Sequence, residues 1–192
     1  MLLEQLPAAL ASHRPQLHEA DRRAAVAILV RAGAAGDELL FIHRAEHPLD
    51  PWSGHMAFPG GMVDPGDGGP LDAAVRETQE ELALDLRATA TLLGRLSDVN
   101  PRSLRASLSI SPFVFAARGD VPPLQPNDEV QEALWVPWSY LAEPRNRSTM
   151  TWARNGVSLP MPCYDLGGRA IWGLTLRMVD ELLELATRPA SV

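Results

Sequence analysis

The sequence contains no lysine, so arginine supplies every basic side chain other than the five histidines. Schiff-base chemistry and the phosphate-binding lysine of a P-loop both need a lysine ammonium, and the sequence excludes both. Cysteine is nearly absent. The single Cys163 cannot form an internal disulfide and has no partner pattern for a nucleophilic site, so we assign it no role.

Long apolar runs and an excess of basic charge are also missing. No segment approaches the roughly 20 apolar residues of a membrane span. Residues 1–20 lack the basic start and apolar run of a signal peptide, so we expect a cytoplasmic protein without membrane contact. The net charge is −7, from 17 basic and 24 acidic residues. This sign argues against nucleic-acid binding, and a polyanionic substrate would need a local group of cations.

Length and patterning predict one domain over residues 1–192, with residues 1–20 as an N-terminal helical extension. Apolar and β-branched runs predict strands at residues 23–30, 38–43, 92–99, 104–117 and 132–136, the first two as a hairpin. Apolar residues at helical spacing predict helices at residues 71–84 and 173–187. Because strands outnumber helices and do not alternate with them, the predicted class is α+β, with a mixed sheet between helices.

The predicted helix over residues 71–84 concentrates acidic residues opposite its apolar stripe. Glu77, Glu80 and Glu81 fall at positions i, i+3 and i+4 and share one face. Such carboxylates repel one another unless a cation lies between them, and Mg²⁺ or Mn²⁺ prefers oxygen ligands of this kind. The spacing alone also fits a solvated acidic face, which explains most acidic helices, so both interpretations stay open here.

The segment that ends in this helix resembles the Nudix box, Gx5Ex7REUxEExGU, where U is aliphatic. The matching residues are Gly61, Arg76, Glu77, Glu80, Glu81 and Leu84.

Four features of the segment depart from that box. The stretch from Gly61 to Arg76 is one residue longer, and Gly68 lies where the first Glu would fall. Thr78 stands where the box has an aliphatic residue, and Ala83 stands where the box has its last Gly. For the missing acid the candidates are Asp64 and Asp67.

The resemblance implies the Nudix fold and the metal-dependent hydrolysis of a nucleoside diphosphate linked to another group. It implies Mg²⁺ or Mn²⁺ as cofactor, with Glu77, Glu80 and Glu81 as metal ligands and a backbone carbonyl near Gly60 as another. Glu77 is also the first catalytic candidate. For Arg76 two roles stay open: pairing with Glu80 one turn later, or contact with substrate.

A second motif precedes the box. Residues 54–61 read GHMAFPGG and resemble the GxxxFPGG half of the signature of coenzyme A pyrophosphatases. The chain differs from the first half of that signature: Phe41 stands where the signature has threonine, and Asp50 stands where it has arginine. The resemblance implies hydrolysis of coenzyme A to 3′,5′-ADP and 4′-phosphopantetheine.

The same resemblance gives Arg44, His55, Gly60 and Gly61 as substrate-binding candidates. Arg44 and His55 have ordinary alternatives, a solvated arginine at a strand end and a histidine bonded to backbone groups. Trp172, before the last helix, lies in a segment that also resembles the coenzyme A branch, although the tryptophans of this tail fit core positions at least as well as an adenine platform.

The resemblance to Nudix hydrolases also implies a further acid from a loop far along the chain. Residues 127–130, Asn-Asp-Glu-Val, resemble the family pattern at that place. Glu129 is therefore the second catalytic candidate, as metal ligand or general base, with a surface loop acid as the alternative.

The favoured function is a coenzyme A diphosphatase that acts on a small nucleotide substrate. The nearest alternative is a pyrophosphatase for ADP-ribose or another nucleoside diphosphate derivative. An alternative from another class is a Nudix-fold ligand sensor without turnover. The oligomeric state is left open by the sequence.

Overall fold

The computed structural model describes residues 1–47, 53–101, 107–154 and 156–187. Its helices are α1 (Leu2–Ser12), α2 (Pro70–Leu82), α3 (Leu86–Thr89), α4 (Trp138–Ala142) and α5 (Gly173–Thr187), with a 3₁₀ turn at Pro144–Asn146. Its strands are β1 (Arg22–Gly33), β2 (Gly36–Arg44), β3 (Met56–Ala57), β4 (Gly60–Met62), β5 (Ala90–Arg95), β6 (Leu108–Ala117), β7 (Val130–Pro137), β8 (Arg147–Arg154), β9 (Val157–Asp165) and β10 (Ala170–Trp172).

The long strand β1 organises the main sheet because both of its edges are paired. One edge runs parallel to β6, and the other pairs antiparallel with β4 and then with β2. The order is β3-β2-β1-β6-β5, with β4 also on β1 and β7 on β2. The sheet is therefore mixed, as predicted. Its change of partner along β1 places Gly60 opposite Val26 and Gly61 opposite Ala25.

Helices cover both faces of this sheet. Leu6 of α1 and Leu182 of α5 lie in one buried cluster with Phe41. Leu82 of α2 lies in a second buried cluster with Leu40. Since neighbouring strand residues point to opposite faces, β2 contributes to both clusters. The predicted α+β sandwich of a mixed sheet between helices is confirmed.

Two predicted elements are shorter than expected. α1 ends at Ser12, so the helical extension predicted over residues 1–20 is too long; Pro15 follows closely, and the residue before a proline is disfavoured in a helix. The strand predicted over residues 92–99 ends at Arg95. Beyond it, the backbone N–H of Ser97 donates to Glu181 and that of Asp98 donates to the carbonyl of Gln16. The regular pairing with β6 is therefore interrupted, and it returns as an isolated bridge between Val99 and Ile110.

Other predicted boundaries agree closely or fall outside the described residues. Helix α5 has the predicted bounds, and α2 begins one residue before the predicted range and ends two residues before its end. Asp50 and residues 102–106, at the start of a predicted strand, lie outside the described residues. One domain over residues 1–192 stays a prediction. Among the described helices, none is long and apolar enough to cross a membrane.

A second, three-stranded sheet in the order β10-β9-β8 was not predicted. Its strands occupy residues 147–172, where the sequence analysis placed no element. Pro160 and Pro162 lie within β9, and prolines normally argue against a strand. A hydrogen bond joins this sheet to the rest of the fold: the Tyr164 hydroxyl on β9 donates to the carbonyl of Leu141 on α4 at 2.7 Å.

Two departures from the Nudix box, Thr78 and Ala83, have structural consequences in and after α2. Thr78 is fully buried, and its hydroxyl donates to the carbonyl of Ala74 at 2.7 Å, so the polar atom is satisfied within the helix. Ala83 follows the last helical residue in the left-handed conformation, with φ 54° and ψ 30°. Glycine adopts this conformation without a Cβ penalty, so alanine is strained here.

We expect Ala83→Gly to raise the free energy of unfolding by about 0.5 to 1 kcal/mol, because glycine relieves the left-handed strain at the end of α2. Gln79→Gly, at an exposed interior position of the same helix, is the matched control and should lower it by about 1 kcal/mol. Urea unfolding measures both. A destabilised Ala83→Gly would contradict the assigned helix end.

Candidate active site

Glu81 is the most deeply buried acid of the site, with 2% of its surface exposed. Its Oε2 accepts a hydrogen bond from the backbone N–H of Gly60 at 2.9 Å. Arg44 lies nearby, with Nη1 3.8 Å from Oε1. Burial raises the pKa of Glu81 to about 8, and the negative charges of Glu77 and Glu129 add to the rise, while Gly60 and Arg44 oppose it. This carboxylate therefore lacks full compensation from the protein.

Glu77 lies one turn before Glu81 and shares this environment. Burial raises its pKa; Arg76 opposes the rise, while Glu80 and Glu129 add to it. Its side chain also lies against β4. A Cβ on Gly61 would be 2.4 Å from Oε1 of Glu77, which is closer than real contacts allow. Glycine at position 61 lets this carboxylate approach the strand backbone.

Arg76 gathers the acids on the outer side of α2. Its Nε and Nη2 donate to the two oxygens of Asp67 at 3.0 and 3.1 Å, and Nη1 donates to Glu80 at 3.0 Å. Nη2 also lies 3.0 Å from Oε1 of Glu77 and donates to the carbonyl of Met62 at 3.0 Å. Of the two roles left open for Arg76, the structure thus shows the pairing with Glu80. The bidentate bond to Asp67 lowers the pKa of that acid.

The distances to Arg76 distinguish the two candidates for the missing acid of the box. Asp67 is held by Arg76 in a bidentate pair, whereas the carboxylate of Asp64 lies 3.8 Å from Nη2 and is largely exposed. Asp67 also accepts a hydrogen bond from the backbone N–H of Asp64 at 2.8 Å. The residue spacing gave no way to choose between them, because it does not reveal which carboxylate reaches back to the helix.

Glu80 differs from the other two box acids. Its side chain is 54% exposed, and its oxygen is engaged by Arg76. Within the ranges that the structure describes, no three Asp, Glu, His or Cys residues converge tightly enough to form a preassembled metal centre. Glu77 and Glu81 face the interior of the site, while Glu80 as a third ligand stays a prediction.

Glu129 is brought to the site by a loop that is tied to α2. The backbone N–H of Asn127 donates to the carbonyl of Glu81 at 2.9 Å, and the Asn127 side chain accepts from the N–H of Glu129 at 2.9 Å. The carbonyl of Glu129 in turn accepts from the N–H of Ala45. The charge of Glu129 is close enough to raise the pKa of both Glu77 and Glu81. The structure therefore groups this predicted loop acid with the helix acids.

The substrate-binding candidates lie along the same edge. The N–H of Arg44 donates to the carbonyl of His55 at 3.1 Å, which links the end of β2 to the segment before β3. The His55 ring meets the Trp172 ring edge-on, with centroids 4.8 Å apart. Gly60, with φ 148°, has no room for a side chain, since a Cβ would lie 2.2 Å from the carbonyl oxygen of Ala25. All four candidates are thus next to the acids or to one another.

The chemistry of the donor set suits a hard divalent cation. Glu77, Glu81 and Glu129 offer only oxygen atoms. Burial raises the pKa of Glu77 and of Glu81, and the negative charges of neighbouring acids add to the rise. A divalent cation would favour their ionised forms and remove the mutual repulsion. The residues present therefore fit Mg²⁺ or Mn²⁺ better than a softer metal, which prefers sulfur or imidazole ligands.

Comparisons with known proteins agree with this geometry. The family model for the NUDIX domain matches residues 21–153. The mitochondrial coenzyme A diphosphatase NUDT8 of Mus musculus is 28% identical over 163 residues, covering 77% of this chain and 70% of the relative. The uncharacterized Nudix hydrolase NudL of Yersinia pestis (strain Pestoides F) is 27% identical over 173 residues, covering 90% of this chain and 84% of the relative.

A solved structure supports the fold over nearly the whole chain. The solution structure of the E. coli ORF135 protein matches with a TM-score of 0.52 and 19% identity, covering 92% of this chain and 96% of that protein. At this identity the likeness concerns the fold alone.

We expect the metal-free protein to lose stability as the pH rises from about 5 to about 8. The pKa of Glu81 is about 8 in the folded chain against 4.5 as the ordinary value, so the folded state binds more protons in this window and rising pH favours unfolding. The loss should amount to about 2 to 4 kcal/mol. Urea unfolding in a chelator between pH 5 and pH 8 measures it.

Two variants test the assignment to Glu81. Glu81→Gln should flatten most of the pH dependence, because its amide does not titrate. Glu80→Gln, which alters an exposed carboxylate on the same helix, should retain it. Equal slopes for the wild type and Glu81→Gln would show that another group is responsible.

Proposed function

Because the chain belongs to the Nudix hydrolase family, we propose that it hydrolyses the pyrophosphate bond of coenzyme A to 3′,5′-ADP and 4′-phosphopantetheine. Nudix pyrophosphatase activity on nucleotide derivatives is the common property of the family. The observation that carries the proposal is the buried carboxylate of Glu81 beside the half-buried carboxylate of Glu77, both held against Gly60 and Gly61. These glycines end the GxxxFPGG segment, which favours coenzyme A, as does the similarity to a mouse coenzyme A diphosphatase.

Nudix hydrolases generally use divalent ions such as Mg²⁺ or Mn²⁺. Glu77 and Glu81 would hold the ion here, with Glu80 and a backbone carbonyl near Gly60 as further predicted ligands. When bound, such an ion neutralises the pyrophosphate and lowers the pKa of a coordinated water. Arg76 fixes the rotamers of Glu77 and Glu80 through its ion pairs, so that the acids stay in place without the ion.

Residues of the chain itself would accept the proton and bind the substrate. Glu129, on a loop bonded to α2, is our choice for the base that takes a proton from the attacking water. The water oxygen forms a bond to one phosphorus, the bridging P–O bond breaks, and the bridging oxygen leaves with the other phosphate. Arg44, beside Glu81, is placed to bind a phosphate oxygen of the substrate. The absence of side chains at Gly60 and Gly61 lets β1 and the Glu77 carboxylate pack against this segment.

Two alternatives remain testable against this proposal. ADP-ribose or another nucleoside diphosphate derivative would use the same carboxylates, and a panel of substrates with product identification separates these from coenzyme A. A ligand sensor without turnover would bind nucleotide and release no product with Mg²⁺ present. The intact Glu77, Glu80 and Glu81 favour turnover. A cytoplasmic location and the absence of nucleic-acid partners stay predictions from the sequence.

We expect Glu77→Gln to lower turnover of coenzyme A by about a hundredfold or more, since a metal ligand or positioned base commonly contributes 10² to 10⁴. Its affinity for Mn²⁺, measured by calorimetry, should fall in parallel. Glu129→Gln should cost roughly ten- to a hundredfold. Glu184→Gln, an exposed acid of α5, is the control and should behave as the wild type.

Circular dichroism and urea unfolding would establish that each variant is folded. Near-normal turnover with normal metal affinity in Glu77→Gln would remove Glu77 from the proposed centre. An unchanged rate in Glu129→Gln would reduce that residue to a surface loop acid.

The substrate itself is tested by removing the 3′-phosphate. A lost charge-assisted contact typically costs about 1.5 to 3 kcal/mol, so dephospho-coenzyme A should show a kcat/KM lower by roughly ten- to a hundredfold. Arg44→Ala should erase most of this difference if Arg44 contacts the 3′-phosphate. An equal loss on both substrates would instead assign Arg44 to the pyrophosphate. Faster hydrolysis of ADP-ribose than of coenzyme A would overturn the substrate assignment and leave the carboxylate site standing.

A further inference from the structure

Strands β8 and β9 form a two-stranded ribbon that extends past the three-stranded part of their sheet. β8 pairs with residues 157–164 of β9, whereas β10 pairs only with residues 163–165. The outer half of the ribbon therefore has two strands in the described part of the chain. An isolated two-stranded hairpin is only marginally stable in water, and a third strand with an apolar face is normally needed.

One edge of this ribbon is blocked by proline. Pro160 lies opposite Thr151, and Pro162 lies opposite Thr149. A proline cannot donate a ladder hydrogen bond, so these are the non-hydrogen-bonded pairs, whose backbone groups point away from the partner strand. The free edge of β9 thus lacks the N–H groups that an added strand would need at both positions. Such prolines are a known means of preventing edge pairing.

The opposite edge, on β8, has no such protection. By the same register, the N–H groups of Thr149, Thr151 and Ala153 point outward, whereas the N–H of Arg147 donates to the carbonyl of Pro144. None of the three is proline. Across the described ranges, no hydrogen bond in the structure involves the outward backbone groups of Thr149, Thr151 or Ala153. Three consecutive outward positions on a threonine-rich strand form a template for a further strand.

The ribbon also carries an apolar face. Met150 lies opposite Met161, and Trp152 lies opposite Leu159, so these four side chains share one side. None of them belongs to the two buried core clusters. Leu159 is 46% exposed. A strand added at β8 would widen this face from two strands to at least three.

We propose that β8 pairs antiparallel with β8 of a second copy of this chain. Only odd-numbered residues present backbone groups at the edge, so self-pairing always sets odd residues against odd ones. Arg147 therefore never lies directly opposite Arg154 of the second copy, and the strand between them is uncharged. Even residues also face even ones, which places Met150 and Trp152 of both copies on one continuous four-stranded apolar face.

The test is the oligomeric state of two matched variants. Sedimentation velocity from about 1 to about 200 μM should show the wild type moving toward a dimer of twice the 20.9 kDa chain mass. Thr151→Pro removes an outward N–H from each copy while leaving the bonds between β8 and β9 intact, and should weaken dimerisation by about a hundredfold. Thr151→Val keeps the N–H and should dimerise as the wild type.

A second variant guards against misfolding of Thr151→Pro. Thr149→Lys combined with Thr151→Lys sets ammonium groups against each other across the proposed pair and should also give a monomer, with an unchanged circular dichroism spectrum. If the wild type stays monomeric over this concentration range, the proposal is overturned. Binding of a different partner at this edge, such as an acidic peptide, would not restore it. A dimer that tolerates both Thr151→Pro and the double lysine variant overturns it as well.

Discussion

The hydrogen bond from the backbone N–H of Gly60 to the carboxylate of Glu81 connects the sheet to the helix that carries the acids. It holds a nearly fully buried carboxylate at 2.9 Å from a strand that itself pairs with β1. The bond requires close packing of β4 against both β1 and α2. A side chain at Gly60 would meet the backbone of Ala25, and one at Gly61 would meet Glu77. Glycine is therefore needed at both positions because β1 and the acids pack so closely against the strand.

The acids around this bond differ in how much positive charge lies beside them. Beside α2, Arg76 forms ion pairs with Asp67, Glu80 and Glu77, so one guanidinium serves three acids. Deeper in the site, Glu81 lies 3.8 Å from Arg44 and accepts one backbone N–H. Because the basic residues that contact these acids are arginines, the acids around Arg76 are fixed by planar, directional hydrogen bonds. Burial leaves Glu81 with a raised pKa on the face where a cation and a phosphate would bind.

The sequence allowed some elements to be predicted and hid others, for physical reasons. Helices α2 and α5 have long apolar stripes, and their predicted bounds were close. β3 has two residues and β4 has three, which is too short for any periodic pattern, although the glycine pair marked their position. The ribbon of β8 and β9 was missed because prolines, normally strand breakers, occupy its free edge. The grouping of Glu129 with the helix acids followed from family resemblance, since no local pattern links positions 50 residues apart.

The departures from the family pattern make sense once the contacts are known. The Nudix box here has one residue more between Gly61 and Arg76, and an Asp in the loop reaches Arg76. Asp67 has a shorter side chain than Glu, and its bidentate bond to Arg76 closes the loop before α2. Likewise, Phe41 stands where the coenzyme A signature has threonine, and its ring stacks on Phe58 of the FPGG segment at 4.5 Å between centroids. That stacking fixes the position of the segment from the core side. Asp67 and Phe41 therefore each supply a contact that holds the segments carrying the acids and glycines in place.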